Sequence, residues 1–252
     1  MSWVLAINSM YVAVGSSSNC GIVVYSLKDF SFFKFLTYHK ELPQSIACLS
    51  NRQFVSGSLD GIIIVWNSEN FLAEYTLHSP AEYLKDEKKY LYNVSFLLPI
   101  NERYVVAAIG KGFTVFELHP ETGSFSVVLR CLNAHGAALT CALTLCNGAY
   151  LLTSSEDSVI KMWKVPPHIN FGGKTAEKEN KGGPLSRSDD VPRPELVAEL
   201  FGHTATVTDI VKIDEYSFAS SSLDAEVIVW KDGYRQSELR NEYAVFSLMH
   251  NN

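Results

Sequence analysis

The sequence predicts an all-β fold assembled from a repeated unit, and three observations carry that expectation. An apolar strand closing on an aromatic residue recurs five times, a second apolar strand precedes each, and Gly or Asp turns divide the pairs as hairpins require. The closing strands are Gly21-Ile22-Val23-Val24-Tyr25, Gly61-Ile62-Ile63-Ile64-Val65-Trp66, Gly112-Phe113-Thr114-Val115-Phe116, Val159-Ile160-Lys161-Met162-Trp163 and Val227-Ile228-Val229-Trp230, with terminal aromatics 41, 50, 47 and 67 residues apart. The strands ahead of them are Tyr11 to Val14, Gln53 to Ser56, Tyr104 to Ala108, Tyr150 to Thr153 and Tyr216 to Ser220.

Three copies carry a further set of polar residues. Asp60, Asp157 and Asp224 each lie six residues before a tryptophan, and Ser56, Thr153 and Ser220 each lie four residues before the Asp. His39 and His203 stand 27 residues before Trp66 and Trp230, and His135 stands 28 before Trp163. A histidine arriving on a loop can bridge the turn Asp to the strand hydroxyl while that hydroxyl accepts from the indole N–H, so four buried polar groups satisfy one another.

With Gly202-His203 as a Gly-His element, and Trp163-Lys164 and Trp230-Lys231 where the family has Trp-Asp, these residues resemble the WD40 repeat. The resemblance covers nearly the whole chain. It implies four-stranded antiparallel blades set radially as a β-propeller, each repeat offset from its blade by one strand. The first and third copies carry Tyr25 and Phe116 in place of Trp and lack the His and Asp, so those blades are expected to hold by packing alone. About five blades fall short of the seven or eight usual in closed WD40 rings, so an incomplete ring is expected. Met1 opens directly on an inner strand. The chain is then the C-terminal part of a longer propeller, a five-bladed ring, or a ring whose open ends a partner covers; the first is favoured.

The expected organisation is propeller blades over 1–236, interrupted by a Pro-, Gly- and charge-rich surface insert over 166–195, disordered at least in part, and a C-terminal amphipathic tail over 237–252. Within the insert, Ile169-Asn170-Phe171-Gly172-Gly173 is the one apolar cluster, either a recognition motif or a tolerated insertion. In the tail, Leu239, Tyr243, Phe246 and Met249 fall at i, i+4, i+7 and i+10, one stripe of a short helix. That helix either folds back on the propeller or docks to a partner.

Composition narrows the function. With 47% hydrophobic and 19% charged residues in 252, the chain can bury the core of one large domain or two small ones. A net charge of -6 provides no footing on phosphate backbones or anionic lipid, so neither nucleic acid nor direct membrane insertion is expected. The five cysteines, Cys20, Cys48, Cys131, Cys141 and Cys146, are an odd set inside apolar stretches and read as reduced thiols of a cytosolic protein. The opening lacks a charged n-region, and no apolar run reaches the length of about 18 residues that a membrane span requires. Asn93-Val94-Ser95 fits the glycosylation sequon but falls in an expected strand, where chance explains it.

No catalytic constellation emerges. Gly57-Ser58-Leu59-Asp60-Gly61 has Leu59 where a nucleophile elbow needs serine, and Gly110-Lys111-Gly112 lacks the third glycine and the helix of a phosphate loop. The Asp, His and Ser sets match the members of a hydrolase triad, yet their recurrence with an indole attached suits a buried structural network. Histidine and cysteine spacings are not of the zinc type, and no metal or cofactor is expected.

A second level of resemblance bears on partners. The order Val105 to Gly112, Ala134-His135, Ser154 to Trp163, a long insert, Leu200 to His203 and Val227 to Gly233 is similar to the C-terminal half of a WD40 family whose propeller is the non-catalytic subunit of a complex with two longin and DENN domain proteins. That complex acts in autophagy, small-GTPase regulation and lysosomal signalling. The resemblance implies a cytoplasmic scaffold that holds a DENN-domain partner and reaches the lysosomal membrane through partners there. The tail corresponds in position to the family's partner-contacting segment, and the insert to a loop that meets a lysosomal membrane transporter. The competing reading is a substrate receptor of a cullin-type ubiquitin ligase or another WD40 adaptor. Such receptors tend to carry Arg two residues after the blade tryptophan, and here Ser68, Val165 and Asp232 stand there.

Overall fold

The computed structural model describes residues 4–16, 20–78, 93–169, 171 and 191–248. Most of the expected insert and Met249, the last residue of the expected helical stripe, lie outside the described residues. The described strands form five four-stranded antiparallel sheets, each with its strands in chain order. The first sheet takes β1 (Val4–Ala6), β2 (Tyr11–Ser16), β3 (Gly21–Ser26) and β4 (Phe32–Leu36); the second takes β5 (Pro43–Cys48), β6 (Gln53–Ser58), β7 (Ile62–Asn67) and β8 (Ala73–His78). The third takes β9 (Val94–Pro99), β10 (Tyr104–Ile109), β11 (Gly112–His119) and β12 (Ser124–Cys131). The fourth takes β13 (Leu139–Leu145), β14 (Tyr150–Ser155), β15 (Ile160–Lys164) and β16 (Glu195–Leu200), and the fifth β17 (Val207–Lys212), β18 (Ser217–Ser222), β19 (Glu226–Lys231) and β20 (Tyr234–Arg240).

Contacts divide the chain into two units, residues 1–110 with 115–127 and residues 111–114 with 128–252. In the first unit the strand period of two sorts the side chains onto two cores. Ile63 and Val65 of β7 enter one with Leu97, Val105 and Phe116, while Ile64 and Trp66 enter the other with Ile22, Val24, Phe54 and Phe71. Phe54 stacks on Trp66 at 6.0 Å. In the second unit Phe218 stacks on Trp230 at 5.9 Å, and Phe113 meets Trp163 edge to face at 5.6 Å.

Two local features recur. A one-residue bulge interrupts the first strand of the second to fifth sheets, at Pro43/Ser45, opposite Ala108/Ile109, at Leu139/Cys141 and at Val207/Asp209. In the turns between second and third strands the residue after the Asp adopts the left-handed region: Gly61 at φ 76, Ser158 at φ 68 and Ala225 at φ 67. The preceding Asp steadies each turn by accepting from the N–H two residues on, at Ile62, Val159 and Glu226.

The C-terminal helix is absent from the described residues. Leu239 pairs with Val227 in β20, so the expected tail boundary at 237 falls inside a strand, and residues 241–248 are irregular. The ladder to β19 satisfies this backbone along seven residues, which a helix would forfeit.

Candidate functional site

The three histidine sets converge as four-membered chains. In the fourth sheet Trp163 Nε1 donates to Thr153 Oγ1 (2.9 Å), Thr153 Oγ1 lies 2.8 Å from His135 Nε2, and His135 Nδ1 lies 3.0 Å from Asp157 Oδ2. The carboxylate only accepts, so Nδ1 carries the ring proton and Nε2 accepts from the hydroxyl. In the fifth sheet Trp230 Nε1 donates to Ser220 Oγ (2.8 Å), which lies 2.7 Å from His203 Nε2, with His203 Nδ1 3.0 Å from Asp224 Oδ2. In the second sheet Trp66 Nε1 and His39 Nε2 both lie 2.8 Å from Ser56 Oγ, and His39 Nδ1 stands 3.4 Å from Asp60 Oδ2, a looser contact than the other two.

Each Asp also gathers backbone donors from the incoming loop. Asp60, Asp157 and Asp224 accept from the N–H of Lys40, Gly136 and Thr204, all at 2.8 Å. Burial pushes the Asp157 carboxyl up, but the Gly136 and Val159 N–H groups together with His135 outweigh it and hold the carboxyl below its ordinary value. Asp60 and Asp224 are likewise lowered against burial by their histidine and backbone donors. Burial dominates at His135, holding the imidazole below its ordinary value against the pull of Asp157.

These geometries define what the sets can do chemically. Ser56, Thr153 and Ser220 are fully buried, and each hydroxyl spends its proton on an imidazole and a lone pair on an indole. No substrate carbon can approach such an oxygen, so the sets tie loop, turn and two strands together within a sheet. Cys48, Cys131, Cys141 and Cys146 are all pushed up by burial in the first place, which keeps their thiols protonated. His203, Asp224 and Glu226 come within ligand distance of one another, but Arg240 Nε takes Glu226 at 2.9 Å and Asp224 already accepts from three N–H groups. Those oxygens face donors, which does not suit a cation.

Sequence reasoning missed one polar cluster. The third sheet was expected to hold by packing alone, yet Glu117 is buried, accepts from Tyr104 Oη at 3.1 Å and pairs with Arg103 Nε at 2.8 Å. This pairing ties β10 to β11 in a sheet that has no histidine set, with Tyr104 and Glu117 at the places of Gln53 and Asn67 in the second sheet. The first sheet does rely on rings: Tyr11 packs on Phe33 at 4.6 Å and on Phe71 at 5.1 Å.

The residues expected to meet partners separate into two groups. Ile169 and Phe171 are 5% and 6% exposed and line a cleft of about 280 Å³ with Gly148, Tyr150, Val165 and Pro166. They pack on the chain itself, so the recognition motif expected there is withdrawn into the fold. Leu239, Tyr243 and Phe246 are 65%, 80% and 68% exposed. They are available to a partner, though as an edge strand and an extended tail.

Five antiparallel sheets of this order, three of them bearing the His, Ser or Thr, Asp and Trp set, are blades of the WD40 β-propeller class. The family model described as WD domain, G-beta repeat, matches residues 31–67, 126–164 and 194–231, the three repeats that carry the set. Over 233 residues it is 24% identical to WD repeat-containing protein 41 of Mus musculus and, equally, of Homo sapiens. The match covers 82% of this chain and 49% and 50% of those relatives, so the chain spans about half their length. Among solved structures, the WD40 β-propeller domain of Doa1 superposes with a TM-score of 0.65 at 19% identity, over 96% of this chain and 69% of that one. No described helix is long and apolar enough to cross a membrane.

Proposed function

We propose that this chain is a non-catalytic scaffold, the WD40 subunit of a complex with longin and DENN domain proteins that acts in autophagy and small-GTPase regulation. One observation carries the reading: the likeness to WD repeat-containing protein 41 extends over 82% of the chain. WD40 propellers are protein-interaction domains, and the buried histidine sets support a rigid platform whose partners are chosen by surface side chains. The exposed Tyr243 and Phe246 form part of the surface that holds the DENN-domain partner. The insert serves recruitment to a lysosomal membrane transporter, so the chain works in the cytoplasm and reaches the lysosome through partners.

Affinity purification of the tagged chain from cells, read by mass spectrometry, tests the proposal. The two DENN-type proteins are expected in near-stoichiometric yield and lost with the double substitution Tyr243→Asp and Phe246→Asp. Recovery of a cullin adaptor in their place, or of neither, overturns it.

A further inference from the structure

The irregular segment after β20 repeats two of the contacts by which one sheet receives the next. In the fourth sheet Thr140 Oγ1 is hydrogen-bonded to Ser154 Oγ (3.0 Å) and donates to Val207 O (2.7 Å), the first residue of β17. In the fifth, Thr208 Oγ1 is hydrogen-bonded to Ser221 Oγ (3.0 Å) and donates to Val245 O (2.5 Å). Thr140 and Thr208 are the bulged residues of their strands, so Val245 stands where Val207 stands.

A second contact holds the same register. Ser45, opposite Gly57 in the second sheet, accepts on Oγ from Leu97 N of β9 at 3.0 Å. Asp209, opposite Ser221 at the matching place in the fifth sheet, accepts on Oδ2 from Leu248 N at 2.9 Å and from Ser247 Oγ at 3.2 Å. Val94 to Leu97, Val207 to Ile210 and Val245 to Leu248 share one spacing, and Val245 N also donates to Ser222 O at 3.1 Å. Val245-Phe246-Ser247-Leu248 thus has the apolar positions and anchoring of Val207-Thr208-Asp209-Ile210.

Where β9 and β17 have β10 and β18 as neighbours, residues 245–248 have no strand among the described residues. The outermost edge of the fifth sheet is blunted by charge, with Arg240 paired to Glu226 and Arg235 to Glu238 along β20. The 245–248 edge carries no charged side chain. None of the five second strands can supply it, because each already lies between two neighbours in its own sheet.

We infer that Val245–Leu248 is the first strand of a sixth sheet and that its open edge takes up, antiparallel, an extended segment of a second polypeptide. The required chemistry follows from what sits on that side elsewhere. Tyr-Val-Ala-Val-Gly-Ser, Gln-Phe-Val-Ser-Gly-Ser, Tyr-Val-Val-Ala-Ala-Ile, Tyr-Leu-Leu-Thr-Ser-Ser and Ser-Phe-Ala-Ser-Ser-Ser all place apolar residues second and third and Gly, Ala or Ser fifth. In the second to fifth sheets the fifth residue faces the bulge, and in the second sheet the third comes close there: a Cβ on Gly57 would run into Val94. The partner segment is therefore a neutral strand of that pattern. This inference does not depend on the longin and DENN reading.

The probe is a fluorescent synthetic peptide with the sequence of residues 150–164, a second strand, turn and third strand, titrated with the full chain by anisotropy. Saturable binding is expected, weakened about tenfold or more by Leu248→Pro and severalfold by Thr208→Val, and lost when alternate amides of the first peptide strand are methylated. Hydrogen exchange supplies a readout independent of affinity: amides of 245–248 gain protection on peptide addition. Absence of saturable binding by wild type overturns the inference. So does binding that persists in both variants, or that appears without added protection at 245–248.

Discussion

Replacing Thr153 separates the hydrogen-bond account of the fourth sheet from simple packing. Thr153→Val preserves side-chain shape and deletes the hydroxyl that receives Trp163 Nε1 at 2.9 Å and meets His135 Nε2 at 2.8 Å. Both partners are left in a site from which water is excluded, since Thr153 is fully buried and His135 is 5% exposed. Each unsatisfied group costs about 1–3 kcal/mol, so the pair should cost about 3 kcal/mol after allowance for the favourable added methyl. Thr153→Ser keeps both bonds, as Ser56 and Ser220 do in the second and fifth sheets, and should cost about 1 kcal/mol for one methyl. Urea unfolding followed by tryptophan fluorescence measures both: a midpoint about 1–2 M lower for Val, and less than half that for Ser, at unchanged slope. If Val proves as stable as Ser, the chain of four groups contributes nothing beyond its volume, and the reasoning is refuted.

Other perturbations address separate features. Ala225→Gly relieves a left-handed backbone at φ 67 and should raise stability by about 0.5–1 kcal/mol in the same assay, whereas a null or negative shift denies the strain. Gly57→Ala forces a Cβ onto Val94 and should destabilise by about 1–3 kcal/mol, and a neutral result means the second and third sheets yield freely there. Acidification should act in two steps. His135 is held below its ordinary 6.5, so the unfolded chain takes a proton there that the folded chain refuses, and stability falls as pH drops below about 6.5. Asp60, Asp157 and Asp224 are held below 3.8, so their contribution is intact above that value and is lost as pH falls below it. Melting temperature against pH, with His135→Gln flattening the upper step, checks both. Asp157→Ala should lower the melting temperature by several degrees and leave partner capture unchanged below that temperature; lost capture at unchanged melting would assign Asp157 to the interface.

The histidine sets could be located from spacing because hydrogen-bond partners fixed in a strand, a turn and an incoming loop must recur at fixed offsets, which three copies display. Glu117 with Tyr104 and Arg103 occurs once, so no repetition singles it out, and its signal was a lone carboxylate in an otherwise apolar strand. The helical spacing of Leu239, Tyr243 and Phe246 runs across two different segments: Leu239 belongs to β20, and Tyr243 and Phe246 lie in the irregular stretch that follows it. Aligning Val245 to Leu248 with Val207 to Ile210 would have revealed the strand register. For Ile169 and Phe171 the sequence left a recognition motif and a tolerated insertion both open; Phe171 lies against Gly148 and both line a cleft with Tyr150, Val165 and Pro166, a packing that no local pattern announces. Outer strands such as β20, exposed along its whole length, carry no apolar alternation to read.

Co-elution of purified components decides the scaffold reading. The 252-residue chain is mixed with the purified longin and DENN pair and passed over a sizing column with light scattering, with folding verified beforehand. A single species with the summed mass of all three is predicted, reverting to free chain with Tyr243→Asp and Phe246→Asp. Separate elution of a fully folded chain contradicts it.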